Sequence, residues 1–516
     1  MRDMITRRGF GAGTLAGAGL LAMPRQLRAQ PKRGGTYRLG LRGGSTAESL
    51  DPATYGTGIV NHFMTGAVGN CLAEIDATGS AVPELAESWE SSADAATWRF
   101  KLRQGVTFHN GKSLTPEDVI ASFNHHRGED TKSGGKALIA AVKDIRAEGG
   151  DTVVFELESG NADFPFVTAE YFFIVFPSVD GKIDWRSGVS AGGYRLVSHE
   201  PGVRYVGERF ADYWKSDRAH FDAVEVLALN DPTARTNALI TGEVDAIGSV
   251  DLKTVALLKR RQGIEVDAVT GTQHYTMPMF CDTAPFDDVN VRLALKHAID
   301  REKLVQTLLQ GYGQVGNDSP ITPANRFFNT EMEQRSYDPD RAKFHLKEAG
   351  LDSISVELHA ADAAFGGAVD AAVLFAESAA PAGIEITVRR EPDDGYWSNV
   401  WMNKPFCAAF WSGRPTEDLM FTTGYAADAQ WNDARWKNAR FNELLVAART
   451  ELDQGKRRGM YWEMQEIVKD DGGTIIPVYA QYVFAHGTGV THTGDLAGNR
   501  SMDGWKSLER WWSTNA

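Results

Sequence analysis

Apolar and polar positions change period several times along the chain. In "TWRFKLRQGVTFHNG" they alternate: Trp98, Phe100 and Leu102 fall on one side, and Arg99, Lys101 and Arg103 on the other. A period of two predicts a strand with one face in a core and one in water. Asn110-Gly111 then supplies a turn that tolerates positive φ. In "NVRLALKHAIDREKLVQTLLQGYG" the period is helical, with Val291, Ala294, Leu295, Ala298 and Ile299 on one stripe. Asp300 can cap a second helix whose apolar side is Leu304, Val305, Leu308 and Leu309. His297 reads as a residue on the helix surface rather than a ligand. "LTPEDVIASF" carries the signature of a helix start: Thr115 as cap, Pro116 in the first turn and Asp118 where a capping-box acid reaches back. Glu117 and Asp118 also favour the positive end of the helix dipole, which makes these acids structural. Such segments alternate without a fixed repeat or a low-complexity tract, which predicts an α/β protein.

Composition narrows the class. Of 516 residues, 42% are apolar, which suits a globular chain. The first 29 residues read as an address rather than as structure. "TRRGF" (6–10) pairs two arginines, a glycine-loosened apolar run follows to Met23, and "LRAQ" offers a cut after Ala29. This resembles a twin-arginine export signal, and the run is short of the roughly 20 residues needed to span a bilayer. Loss of that leader removes five arginines and one aspartate, so the formal charge of −14 becomes −18. A chain of that charge repels nucleic acid and anionic lipid. Cys71, Cys281 and Cys407 are too few and too scattered for a disulfide framework or a cysteine-rich metal site. They read as buried free thiols, with a Cys281–Cys407 bridge as the alternative.

Little points to catalysis, a metal or a cofactor, and none is expected. There is no His-Glu-x-x-His and no P-loop. His125 and His126 are adjacent and cannot face one metal from a helix as residues four apart do. "GYGQVG" (311–316) matches a dinucleotide pattern by letters but follows a helix instead of a strand.

Four longer stretches carry a resemblance: "PELAESWESSADAATWRFKLRQGVTFHNGKSLTPEDVIASF" (83–123), "GGYRLVSHEPGVRYVGERFADYW" (192–214), "NALITGEVDAI" (237–247) and "PFDDVNVRLALKHAIDREKLV" (285–305). They resemble, in order, the family 5 extracellular solute-binding proteins, the dipeptide and oligopeptide receptors of ABC importers. The resemblance implies a two-lobed periplasmic-binding-protein clamp of the type II, enlarged peptide-binding class. It implies a first lobe over about 34–276 with an inserted subdomain at about 60–185, a second lobe over 277–482, and a return of 483–516 to the first lobe. Two chain crossings make the hinge, and closure buries the ligand. The implied protein is a periplasmic monomer that delivers a peptide-like or other small organic ligand to an ABC permease and ATPase complex. Members of this fold also take up nickel complexes, haem, oligosaccharides and opines. A chemosensory receptor or a periplasmic hydrolase is the more distant alternative.

The segment "FWSGRPTED" (410–418) sharpens the ligand question. In peptide receptors of the family the corresponding segment resembles Trp, two small residues, and an aspartate that takes the peptide's ammonium. Here Trp411 keeps the tryptophan, Ser412 and Gly413 fall on the small positions, and Arg414 stands where the aspartate is expected. Arginine in a closing cleft repels an ammonium and favours a carboxylate, phosphate or sulfonate. Alternatively Arg414 turns away and pairs with Glu417, Asp418 or another acid of its own lobe. Further ligand contacts are expected from Trp397 as an aromatic wall, from Tyr479 or Tyr482 on the returning strand, and from Ser45 and Thr46 in the turn-rich "RGGSTAESLDPA".

Overall fold

The computed structural model describes residues 31–55, 59–129, 131–393, 395–429 and 431–515, so the export segment lies outside the described residues. The alternating stretch forms the strand Thr97–Leu102, with Trp98, Phe100 and Leu102 buried. It sits inside an antiparallel four-stranded sheet with Ala86–Ser91, Thr152–Leu157 and Val142–Glu148. The helix Pro116–Asn124 starts as the sequence requires: the Thr115 amide donates to Asp118 Oδ2 at 3.0 Å, completing a capping box. Asp118 also accepts the Ser178 amide at 2.6 Å and pairs with the Lys112 ammonium, so it is spent on structure.

The helices Val289–Ala298 and Arg301–Thr307 follow the predicted stripe, and the Lys303 amide donates to the capping Asp300 carboxylate at 2.9 Å. His297 differs from the expectation. It is buried, because Arg335 crosses over the helix and donates from Nη1 to His297 Nε2 at 2.8 Å. Burial and that guanidinium push its pKa down to about 4, which leaves it neutral.

A nine-stranded mixed sheet organises the described residues. Its order is Tyr194–Glu200, Arg204–Arg209, Ala223–Ala228, Thr36–Leu41, Ala246–Ile247, Thr474–Gly487, Ile264–Pro278 and Ala409–Trp411, with Gly313–Val315 also on Thr474–Gly487. That last short strand absorbs the glycine-rich "GYGQVG", which pairs with a sheet rather than cradling a phosphate. The antiparallel pair Ile264–Pro278 and Thr474–Gly487 runs between two cores. At one end Phe484 joins a large core built from Tyr37, Phe63, Phe100, Phe155 and Val226. At the other end Met277 and Ile475 join a core built on the parallel strands Ile354–Ala360 and Ile384–Arg390 and the helix Ala368–Ala379. Two long strands passing from one core into the other are the crossings of a two-lobed clamp. Met502, Leu508 and Trp511 of the carboxyl-terminal segment are buried in the first of these cores. Cys71, Cys281 and Cys407 are free thiols, so the alternative bridge is not formed.

The lobes meet through a buried ion cluster. Asp163 precedes Phe164 of the first core. Its Oδ2 and Oδ1 accept from Arg457 at 2.6 and 3.0 Å, and Oδ1 accepts from Arg326 at 2.8 Å. Arg457 lies on the helix Gln454–Asp471, whose Tyr461 and Met464 pack in a third core, and both Asp163 and Arg457 are fully buried. Burial by itself raises the Asp163 carboxyl, but the two guanidinia outweigh it and hold the group below the usual aspartate range. A carboxylate with a depressed pKa contributes stability above its unfolded pKa of about 3.9, and that stability is lost as pH falls through the folded value. Asp163→Ala strands the buried Arg457, a loss expected to cost about 3–5 kcal/mol. Chemical denaturation of wild type and variant checks this, with the difference shrinking below about pH 4.

Candidate ligand-binding site

The strand Ala409–Trp411 lies antiparallel on Ile264–Pro278, with Trp411 opposite His274. The chain leaves the sheet at Ser412 and turns at Gly413, whose φ is +74°. A Cβ on Gly413 would stand 2.1 Å from the Thr272 carbonyl oxygen, so only glycine lets the two backbones touch. The exposed Ser412 has its carbonyl fully used, because it accepts from Thr272 Oγ1 at 3.2 Å and from the Tyr482 hydroxyl at 3.0 Å. Thr416 caps the helix Glu417–Gly424 and ends the segment.

Arg414 is half-buried at the end of this turn. It does not pair with the acids beside it. Glu417 is buried and accepts the Phe327 amide at 2.6 Å, while Asp418 accepts from Arg449 at 3.0 Å. Among the described residues no carboxylate lies within 4.0 Å of the Arg414 guanidinium. The guanidinium donates to the Gly413 carbonyl at 2.7 Å and faces two indoles, with its carbon 5.5 Å from the Trp411 ring centre and 6.0 Å from that of Trp431. Desolvation lowers its pKa, Glu170 opposes that shift and Arg500 adds to it. The charges it feels therefore come from Glu170 and from Arg500 of the carboxyl-terminal segment.

The two indoles belong to a wall of four. Trp401 and Trp411 lie 6.4 Å apart, Trp411 and Trp431 6.1 Å, and Trp397 and Trp401 5.6 Å, all tilted or edge-on. Trp411 is buried and forms the floor, whereas Trp397 and Trp431 are 40% and 41% exposed. Beneath them the buried Asp433 accepts the indole N–H of Trp401 at 3.1 Å and of Trp411 at 3.4 Å. Burial without a cation pushes this carboxyl up to about 6, against the indole bonds that favour its ionised form.

The structure thus brings Trp397, Trp411, Ser412, Gly413 and Arg414 together with Tyr482. It does not bring Tyr479 to them as a free group: Tyr479 is buried and its hydroxyl donates to the Ser319 carbonyl at 2.9 Å. Ser45 and Thr46 are exposed in a turn that presses on Gly202, stabilised by Ser45 Oγ accepting the Ala47 amide at 3.2 Å. Sequence reasoning missed Trp431, Asp433 and Arg500. A tryptophan two residues before an aspartate is the only local hint of the first two.

The run Gly188-Val189-Ser190-Ala191-Gly192 has the spacing of a hydrolase nucleophile elbow. Ser190 is fully buried, and its hydroxyl donates to the Val175 carbonyl at 2.6 Å, so it is not presented to a substrate.

The family model for bacterial extracellular solute-binding proteins, family 5 (middle region), matches residues 80–433. The chain belongs to this family, a class of transport binding proteins. It is 24% identical over 472 residues to a dipeptide-binding protein of Escherichia coli, covering 83% of this chain and 86% of that one. It is 27% identical over 296 residues to haem-binding protein A of Haemophilus influenzae, covering 52% and 53%. The solved structure of the periplasmic binding protein AgaA of A. tumefaciens R10 with agropinic acid shares the fold, with a TM-score of 0.77 at 22% identity over 93% of this chain and 99% of that one. Relatives in one fold thus carry names for quite different cargoes, and the cargo has to be read from this chain's own residues.

Asp433 gives the site a pH response. Its carboxyl is raised above the unfolded value of about 4, so its protonated form stabilises the fold and that contribution is lost as pH rises through about 6. Tryptophan emission should titrate with a midpoint near 6, and Asp433→Asn should abolish the titration. An unchanged titration in that variant would place the responsible group elsewhere.

Proposed function

We propose that this chain is a periplasmic receptor that hands a small organic ligand with an anionic group to an ABC importer. One observation supports the reading above the others: Arg414 stands where the peptide receptors of the family resemble an ammonium-binding aspartate, and among the described residues no carboxylate forms an ion pair with it. A half-buried cation without a counter-ion is a receptor for one. The used-up Ser412 carbonyl points the same way, since it has no lone pair left for the amide of an extended peptide. The ligand cleft lies between lobes of about 34–276 and 277–482, with 483–516 returning to the first, and export follows from the paired Arg7 and Arg8. An oligosaccharide would suit the exposed Trp397 and Trp431 but leaves Arg414 without a partner.

Ligand co-purified from the native host and identified by mass spectrometry tests the reading, and an acidic small molecule is expected. A charge-assisted hydrogen bond is worth roughly 1.5–3 kcal/mol, or about ten- to hundredfold in affinity. Arg414→Ala should lose that much for the ligand by calorimetry while the unliganded melting temperature changes little. Arg414→Asp should reject the acid and admit peptides with a free amino terminus. Tight binding of free peptides by the wild type, lost on acetylation, would overturn the anionic reading.

Closure is tested separately. Ligand at 100 times its dissociation constant should stabilise the fold by about 2.7 kcal/mol. It should also shrink the radius of gyration measured by small-angle scattering. A tight ligand that leaves the radius unchanged would argue against hinge closure on binding.

A further inference from the structure

The segment after Gly498 has an uncommon backbone. Met502, Asp503, Gly504 and Trp505 have φ of 51°, 59°, 66° and 66°, four consecutive left-handed residues of which three are not glycine. They close a left-handed helical turn, with the Gly504 amide on the Arg500 carbonyl at 3.2 Å and the Trp505 amide on the Ser501 carbonyl at 2.9 Å. L-residues disfavour this conformation, and it persists only where its surroundings over-determine it. Here they do. Met502 is buried in the first core, and Asp503 Oδ1 accepts both the Ala497 amide and Arg510 Nη1 at 2.9 Å.

The turn fixes Arg500 at the edge of the site described above. Its guanidinium carbon lies 4.7 Å from the Tyr171 ring centre and 4.6 Å from that of Trp505, the last residue of the turn, and Nη2 donates to Glu170 at 2.6 Å. The backbones on either side are in contact. A Cβ on Gly271 would stand 2.6 Å from the Gly498 carbonyl, just as one on Gly413 would meet Thr272. The 498 segment, the 270–272 stretch of the long strand and the 413 turn are therefore three adjoining backbones. Arg500 follows the first and Arg414 the last. Glu170, Arg500, Tyr171 and Tyr482 are among the ionisable groups that act on Arg414, which in turn acts on the buried His274.

Two guanidinia and one carboxylate leave one positive charge in excess, which a single acidic group neutralises and a second would reverse. Next to that charge stands the exposed indole of Trp431, in reach of Arg414, and the rings continue through Trp401 to the exposed Trp397. We propose that the ligand is a monoanion with a flat apolar body, its acidic group received between Arg414 and Arg500 and its body lying along Trp397 and Trp431. This rests on the anionic reading of the site and adds to it a first-lobe partner, a charge number and a body shape. Arg500, in this account, makes the anion site complete only when the lobes are together.

The test uses the mature protein and five probes: indole-3-acetate, its neutral amide, succinate, and the dipeptide Ala-Ala with and without amino-terminal acetylation. Calorimetry should show indole-3-acetate binding at least tenfold tighter than the amide. Arg500→Gln should bring the two within about threefold of each other, Arg500→Lys should keep part of the preference, and Trp431→Ala should weaken the indole acid by tenfold or more. An Arg500→Gln protein that loses acid and amide equally would assign Arg500 a structural role and overturn the proposal. Succinate binding tighter than indole-3-acetate would also overturn it while leaving the anionic reading intact. Preference for free Ala-Ala, lost on acetylation, would overturn both, and so would no binding of any acid.

Discussion

A carboxylate removed from water, Asp163, is the interaction on which the arrangement of the lobes rests. Its two oxygens are shared between Arg457 and Arg326, and the side chains of Asp163 and Arg457 are both fully buried. Neither buried charge is tolerable by itself: Asp163 is compensated by Arg457 and Arg326, and Arg457 has Asp163 as its carboxylate partner. The pair therefore constrains where the helix Gln454–Asp471 can stand relative to the segment before Phe164. Leu419, on the helix that follows Arg414, packs into the first core by the same approach of the lobes. Whatever aligns these parts also sets the distance between Arg414 and the carboxyl-terminal turn.

The site is assembled from strain and close approach more than from any one element. Gly413 allows the chain to touch Thr272, the Tyr482 and Thr272 hydroxyls tie down the Ser412 carbonyl, and Arg414 is left pointing across indoles. Asp433 holds two of those indoles by their N–H groups and so keeps the floor in register. The left-handed turn at 502–505 follows Arg500, which is held on Glu170 and over the rings of Tyr171 and Trp505. Its conformational cost is carried by packing and by the Asp503–Arg510 contact.

On the proposed anionic reading, charge reversal at one position would change what the clamp selects without changing the clamp. The family's fold supplies closure, and that function does not depend on the sign of a single side chain. Selectivity does. A cation in a partly dry cleft adds repulsion against ammonium groups as well as attraction for acids, and specificity is the difference between the two.

Local periodicity was enough to determine several parts of this protein. The strand through Trp98, Phe100 and Leu102, the Thr115–Asp118 capping box and the helices around Asp300 follow from patterns within a dozen residues, and four ordered motifs carry the family and hence the clamp. That Trp411, Gly413 and Arg414 lie together follows from their being contiguous, and their reading as a site comes from the family resemblance. What the sequence could not determine depends on residues far apart along the chain. His297 looked like a surface residue until Arg335 was laid over it, Tyr479 looked available until Ser319 claimed its hydroxyl, and Cys281 and Cys407 remained unbridged. Arg500 gave no local signal, and Trp431 only its place two residues before Asp433. Their roles come from the folding of Gly498 against Gly271 and of Trp431 against Trp411, contacts that only the tertiary structure makes.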